Sequence, residues 1–142
     1  MRYLGIDFGL KRIGLAISDE NNRIAFGLAT LENKGLKDLR SNIERLIERY
    51  GIGKIVVGFP NNMNGTPGYL SKELSKVVEE LKSIPGIEVI TWDERLTSVE
   101  GERIAREMGK KDKKLIDRIA ATLILQNYLD FINRNVDSSS SF

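Results

Sequence analysis

The amino-acid sequence predicts an α/β fold in which helices cover a mixed five-stranded sheet. Two observations lead to this prediction. The N-terminal part contains three strand-like segments joined by short turns, and short turns connect antiparallel neighbours. The rest of the chain alternates helical and strand-like segments, and a strand-helix-strand unit joins parallel strands through a right-handed crossover. The sheet should therefore begin antiparallel and continue parallel.

The five predicted strands differ in their patterns. The first three are residues 2–7, 12–18 and 23–31. The fourth, residues 54–58, contains the continuous apolar run at positions 55–57, which is typical of a parallel strand buried on both faces. The fifth, residues 87–92, follows the chain-breaking pair Pro85 and Gly86.

Four helices are predicted from apolar residues spaced three and four apart. The first covers residues 36–50 and is stopped by Gly51, and the second begins at Thr66 and Pro67. The third runs from about residue 98 to 108 and the last from about 113 to 133. We expect one domain from residue 1 to 135. The serine-rich residues 136–142 are expected to form a disordered tail.

The composition excludes several classes of chemistry. The chain contains neither cysteine nor histidine, which excludes thiolate nucleophiles, histidine-dependent triads and typical zinc sites. Catalysis would have to use carboxylates, lysines, hydroxyls or a hard cation held by oxygen atoms. No apolar stretch approaches the roughly 18 residues of a membrane helix, and the start does not resemble a signal peptide. We therefore expect a cytoplasmic protein that does not bind membranes.

Acidic residues fall where the predicted strands end. Asp7 ends the first strand, and Asp93 and Glu94 follow the fifth, while ligands of open sheets collect beyond the carboxyl ends of parallel strands. Asp117 lies on the apolar face of the last helix, where a charge requires compensation. A shared Mg²⁺, which prefers carboxylate ligands, would explain why these acids converge.

Each acid also has an alternative role without a metal. Asp7 could form a turn, Asp93 and Glu94 could cap a helix, and Asp117 could form a salt bridge to Arg118 or Lys114 along its own helix. Residues 103–118 carry seven basic residues against three acidic ones. This local excess predicts a phosphate-facing surface, with a solvated charged face as the alternative.

Four segments resemble the YqgF family. They are GIDFGLKRIGLAISD at residues 5–19, VVGFPNNMNG at 56–65, DERLT at 93–97, and DRIAA with ILQNYLD between residues 117 and 130. The resemblance covers residues 4–130, with one departure at Ser98, where a second threonine is expected. It implies an RNase H-like fold similar to RuvC-type Holliday junction resolvases. It also implies a metal-dependent nuclease that matures the 5′ end of pre-16S rRNA or, alternatively, resolves Holliday junctions.

The resemblance also implies roles for particular residues. Asp7, Glu94 and Asp117 would be catalytic and would bind Mg²⁺ or Mn²⁺, so the resemblance selects Glu94 over Asp93. Nine further residues are predicted to contact the substrate: Lys11, Arg12, Asn61, Asn62, Arg95, Lys110, Lys111, Lys113 and Lys114. The expected partner is nucleic acid, either pre-rRNA or branched DNA, bound by a monomer or a homodimer.

Two other functions are compatible with parts of the sequence. An Asp-x-Gly sequence after a first strand also occurs in the phosphate loops of actin-like proteins and sugar kinases, but those proteins need two such domains and this chain has room for one. A non-catalytic nucleic-acid-binding module is the second alternative. Such a module is expected to have lost some of its acids, whereas all three are present here.

Overall fold

The computed structural model describes residues 1–59, 68–93, 107 and 112–140. This part of the chain forms strands β1 (Arg2–Phe8), β2 (Arg12–Ser18), β3 (Ala25–Glu32), β4 (Ile52–Phe59) and β5 (Glu88–Asp93), and helices α1 (Leu36–Tyr50), α2 (Gly68–Lys82) and α3 (Lys113–Ser140). The helix predicted at about 98–108 lies outside the described residues except for residue 107. Among the described helices, none has the length and apolar character needed to cross a membrane.

The sheet has the strand order β3-β2-β1-β4-β5. β1, β2 and β3 are antiparallel neighbours, whereas β1, β4 and β5 pair in parallel. The mixed five-stranded sheet predicted from the sequence is therefore confirmed. Its parallel half places the ends of β1, β4 and β5 at one edge, which we call the carboxyl edge.

Most predicted strand ends differ from the structure by one or two residues, and two differences between predicted and observed boundaries have a physical reason. β3 begins at Ala25 and not at residue 23, because the Asp19 carboxylate accepts hydrogen bonds from the backbone N–H groups of Arg23 (2.8 Å) and Ile24 (2.9 Å) and extends the turn. α3 ends at Ser140, well beyond the predicted end at residue 133. Serine and asparagine are poor helix formers, but an established helix propagates at little cost per residue. The predicted disorder of residues 136–142 stays a prediction.

Two apolar layers lie on opposite faces of the sheet. One contains α1, α2 and the alternate strand residues Leu4, Ile6 and Leu15, all fully buried. The other contains α3, with Ala121 and Leu125 packed against Ala16 of β2 and Val56 of β4. Because side chains alternate along a strand, Gly5 and Asp7 of β1 face α3. The acid at the end of β1 and the acid of α3 therefore belong to the same side of the sheet.

Candidate functional site

Gly14 brings α3 onto the sheet beside Asp7. Asp7 pairs with Gly14 across β1 and β2, and residues directly opposite each other project to the same face, with Cβ positions roughly 5 Å apart. A Cβ atom at Gly14 would overlap the carbonyl oxygen of Asp117 and lie 3.1 Å from its Cβ. Only glycine allows this approach, so Asp7 and Asp117 both flank position 14.

A second glycine supports the same approach two residues earlier in β1. A Cβ atom at Gly5 would lie 2.8 Å from Leu125 Cβ and 3.0 Å from the carbonyl oxygen of Ala121. α3 therefore fills the space that Gly5 leaves on this face of β1. Gly14 was not recognised from the sequence. The available signal was a glycine inside an apolar strand, which often marks a close backbone approach.

Asp117 forms an ion pair with Arg12, the first residue of β2. Arg12 Nε donates to Asp117 Oδ2 at 2.7 Å, and the side chains are 31% and 16% exposed, respectively. The alternative partners considered from the sequence, Arg118 and Lys114, are wrong. Arg118 lies beside Gly27 of β3, and Lys114 is exposed one helical turn earlier. The guanidinium of Arg12 thus supplies the compensation that a half-buried carboxylate requires.

Asp93 faces the other side of the sheet. It pairs with Phe59 at the end of β4, and Phe59 packs into the layer formed with α1 and α2. Its neighbour Trp92 packs with α3. Asp93 therefore does not share the face of Asp7 and Asp117, and the choice of Glu94 over Asp93 stays a prediction. Glu94 itself lies outside the described residues.

The other predicted site residues are divided between described and undescribed parts of the chain. Asn61, Asn62, Arg95, Lys110 and Lys111 lie outside the described residues. Lys11, Lys113 and Lys114 are exposed. The first turn of α3 is held by the Asp112 carboxylate, which accepts hydrogen bonds from the N–H groups of Lys114 (3.0 Å) and Leu115 (3.2 Å).

The β1–β2 turn that carries Lys11 is fixed from outside. The backbone N–H of Asn33 donates to the Lys11 carbonyl at 2.9 Å, and Asn33 Nδ2 donates to the Gly9 carbonyl at 3.0 Å. These bonds tie the turn to the connection between β3 and α1. The backbone that carries Lys11 and Arg12 is therefore held in place by hydrogen bonds, at the same edge of the sheet as Asp7.

The acids fit a hard divalent cation. Within the described ranges no cluster of three acids is complete, because the third predicted ligand, Glu94, lies outside them. The two described acids share a face across Gly14, and carboxylate oxygens are the ligands that Mg²⁺ and Mn²⁺ prefer. Arg12 contacts one of the two oxygens of Asp117. The arrangement can thus hold positive charge at the carboxyl edge, where a phosphate could approach.

We expect Gly14→Ala to destabilise the protein by about 2 kcal/mol or more, because the added methyl group collides with backbone that cannot rotate away. Urea unfolding measures the loss. Gly27→Ala is the matched control: it also faces α3, but its Cβ would meet Arg118 Cβ at 3.5 Å, an ordinary contact. Equal stability of the two variants would contradict the conclusion that α3 can approach position 14 only if it is glycine.

Sequence comparison identifies close relatives. The profile of the family described as "RuvX: Holliday junction resolvase" matches residues 1–131. A protein of Thermoanaerobacter pseudethanolicus is 46% identical over 134 residues, covering 92% of this chain and 96% of that protein. One of Bacillus subtilis is 45% identical over 141 residues, covering 94% and 100%. Both bear the name "Putative pre-16S rRNA nuclease".

Solved structures share the fold. Thermus thermophilus RuvC in complex with a Holliday junction substrate superposes with a TM-score of 0.58 at 14% identity, covering 92% of this chain and 96% of that chain. Fowlpox virus resolvase in complex with Holliday junction DNA gives 0.57 at 14% identity, covering 93% and 99%. These similarities confirm the predicted RNase H-like fold.

Proposed function

Because this chain belongs to the RuvX family of Holliday junction resolvases, we propose that it is a nuclease that hydrolyses phosphodiester bonds in structured nucleic acid. We propose the 5′ end of pre-16S rRNA as its substrate, since relatives at 40–46% identity are named as pre-16S rRNA nucleases. The observation that carries the proposal is the placement of Asp7 and Asp117 on one face around Gly14. A single nuclease domain over residues 1–135, working in the cytoplasm, is part of the same proposal.

Asp7, Glu94 and Asp117 are proposed to hold Mg²⁺ or Mn²⁺. The chain offers no histidine or cysteine as a ligand or base, so the chemistry depends on oxygen donors. When bound, a divalent cation supplies positive charge against the phosphate oxygens of the substrate. Asp7 would approach that cation from β1 and Asp117 from α3, because Gly14 of β2, which pairs with Asp7, lets α3 come close to the sheet.

Basic residues at the carboxyl edge are proposed to position the substrate. Arg12 is 31% exposed beside Asp117, and a guanidinium can bind a phosphate through two parallel hydrogen bonds. With Asp117 holding the cation, the Arg12 guanidinium would be available to bind the phosphate next to the cleaved bond. Lys11, Lys113 and Lys114 would contact neighbouring phosphates, which fixes register without reading sequence.

Resolution of Holliday junctions is the second candidate function. It is favoured by the family description and by the fold shared with a RuvC–junction complex. Symmetric cutting of a four-way junction would require two sites, and hence a homodimer. Maturation of one rRNA end requires a single site, so a monomer would suffice. The two candidates therefore differ in substrate and in the number of copies that act together.

Parallel cleavage assays separate these functions. We expect a precursor rRNA fragment to be cut at its 5′ side in Mg²⁺ or Mn²⁺, with no product in chelator, and a four-way DNA junction at matched salt to remain intact. Product lengths on sequencing gels measure both reactions. Cleavage of the junction into two nicked duplexes, with intact RNA, would establish the second candidate. Absence of both products would contradict a nuclease function.

A further inference from the structure

A polar groove opens beside the candidate site, between β3, α1 and the first turn of α3. It has a volume of about 570 Å³. Its lining includes Thr30, Glu32, Lys34, Asp38, Arg45 and Lys114. We call it the flank groove. Sites for small organic ligands are mostly apolar, whereas hydroxyl, amide and charged groups dominate this lining, so its chemistry suits a polar, charged ligand.

The flank groove carries a small excess of positive charge, with three basic and two acidic residues in its lining. Lys34, Arg45 and Lys114 are exposed, and none of them takes part in the ion pairs between described residues. Asn42 lies between Arg45 and Asp38: Arg45 Nη2 donates to Asn42 Oδ1 at 2.7 Å, and Asn42 Nδ2 donates to Asp38 Oδ2 at 3.2 Å. Three bases against two acids favour an anionic ligand with spaced charges.

The groove adjoins the candidate site directly. Glu32 on its rim pairs with Arg12 across β3 and β2, a separation of about 4.8 Å between neighbouring strands. Lys114 on the opposite side lies one helical turn before Asp117, a rise of about 5 Å. Thr30 Oγ1 donates to the Lys114 carbonyl at 2.6 Å, which holds the two sides together. A nucleic-acid strand that extends from the ion pair of Arg12 and Asp117 would therefore enter the adjoining groove.

We propose that the flank groove binds the phosphate backbone of the substrate strand on one side of the cleaved bond. This inference rests on the proposed nuclease function, and it adds Lys34 and Arg45, which lie outside the sequence segments that carry the family resemblance. Lys34 lies in the connection between β3 and α1, Arg45 lies in α1, and both line the groove. They would therefore contact the strand farther from the cleaved bond than Arg12 does. RNA and DNA share this backbone, and the groove would accept either.

The test measures binding of a 5′-extended rRNA fragment and of a four-way DNA junction in chelator. Lys34→Gln combined with Arg45→Gln is expected to weaken binding about ten-fold at 0.1 M salt. The log–log salt dependence should become shallower by about 1.4 units on single strands and 1.8 on duplex. Arg23→Gln combined with Lys82→Gln is the matched control, because it removes the same charge at the end of the sheet opposite the carboxyl edge. Melting temperatures of both variants verify folding.

Shortening the substrate distinguishes a direct contact in the groove from long-range electrostatic attraction by the whole protein. Removing nucleotides from one side of the cut should abolish the difference between wild type and the Lys34/Arg45 variant, whereas removing them from the other side should preserve it. A penalty that persists at every length, or an equal loss in the control variant, overturns the groove assignment. Tight binding by wild type and variant alike overturns the groove alone. No binding of RNA or junction by the wild type overturns the nuclease proposal as well.

Discussion

Asp7→Asn is expected to lower the rate of cleavage at least about 100-fold, which corresponds to about 2.7 kcal/mol of activation free energy. The change removes one proposed cation ligand but keeps the shape of the side chain. The basic residues that contact phosphates are untouched, so substrate affinity should stay within about two-fold of wild type. Single-turnover rates at saturating enzyme in Mg²⁺, and binding in chelator, measure the two quantities separately.

Asp93→Asn is the matched control for this experiment. It neutralises a carboxylate at the same sheet edge, but on the face occupied by Phe59, α1 and α2. We expect it to retain most of the wild-type rate. Wild-type activity of Asp7→Asn would contradict the proposed site. A loss as large in Asp93→Asn would instead contradict the assignment of the two acids to opposite faces.

Local sequence patterns were sufficient for much of the fold. α1 has the predicted bounds, Leu36–Tyr50, because an amphipathic stripe precedes Gly51. Gly51 takes a left-handed conformation (φ 69°), and its N–H caps the Ile47 carbonyl. The start of β3 was misplaced because the side chain of Asp19 competes for the backbone of residues 23 and 24. Such side-chain competition depends on detailed turn geometry, which strand periodicity does not contain.

The candidate site was predictable only in part. Strand and helix periodicity predicted that Asp7 and Asp117 approach the same place, and the register through Gly14 agrees. The partner of Asp117 was not predictable, because Arg12 is 105 residues away and two nearby bases on the same helix, Lys114 and Arg118, were also plausible. The partner is decided by where α3 crosses β2. The flank groove likewise depends on how α1 and α3 meet β3.

Asp117→Asn is expected to melt below wild type in chelator. Repulsion among metal-free acids would alone leave this variant as stable as wild type or more stable. The ion pair reverses that expectation, because Arg12 contacts Asp117 at 2.7 Å and the acid is only 16% exposed. An exposed pair contributes up to about 1 kcal/mol, and breaking a buried pair costs about 3–5 kcal/mol. For this half-buried pair we expect a loss of about 1–3 kcal/mol, measured by thermal melts.

The response to magnesium separates a cation ligand from a purely structural acid. A ligand that binds only the folded protein raises its melting temperature by mass action, so millimolar Mg²⁺ should stabilise wild type and much less Asp117→Asn. Arg12→Gln is the decisive comparison, because it also breaks the ion pair but leaves the proposed ligand in place. It should melt low in chelator and still respond to Mg²⁺ at least as strongly as wild type. If Asp117→Asn melts low but gains as much from Mg²⁺ as Arg12→Gln does, then Asp117 stabilises the fold through Arg12 and does not hold the cation.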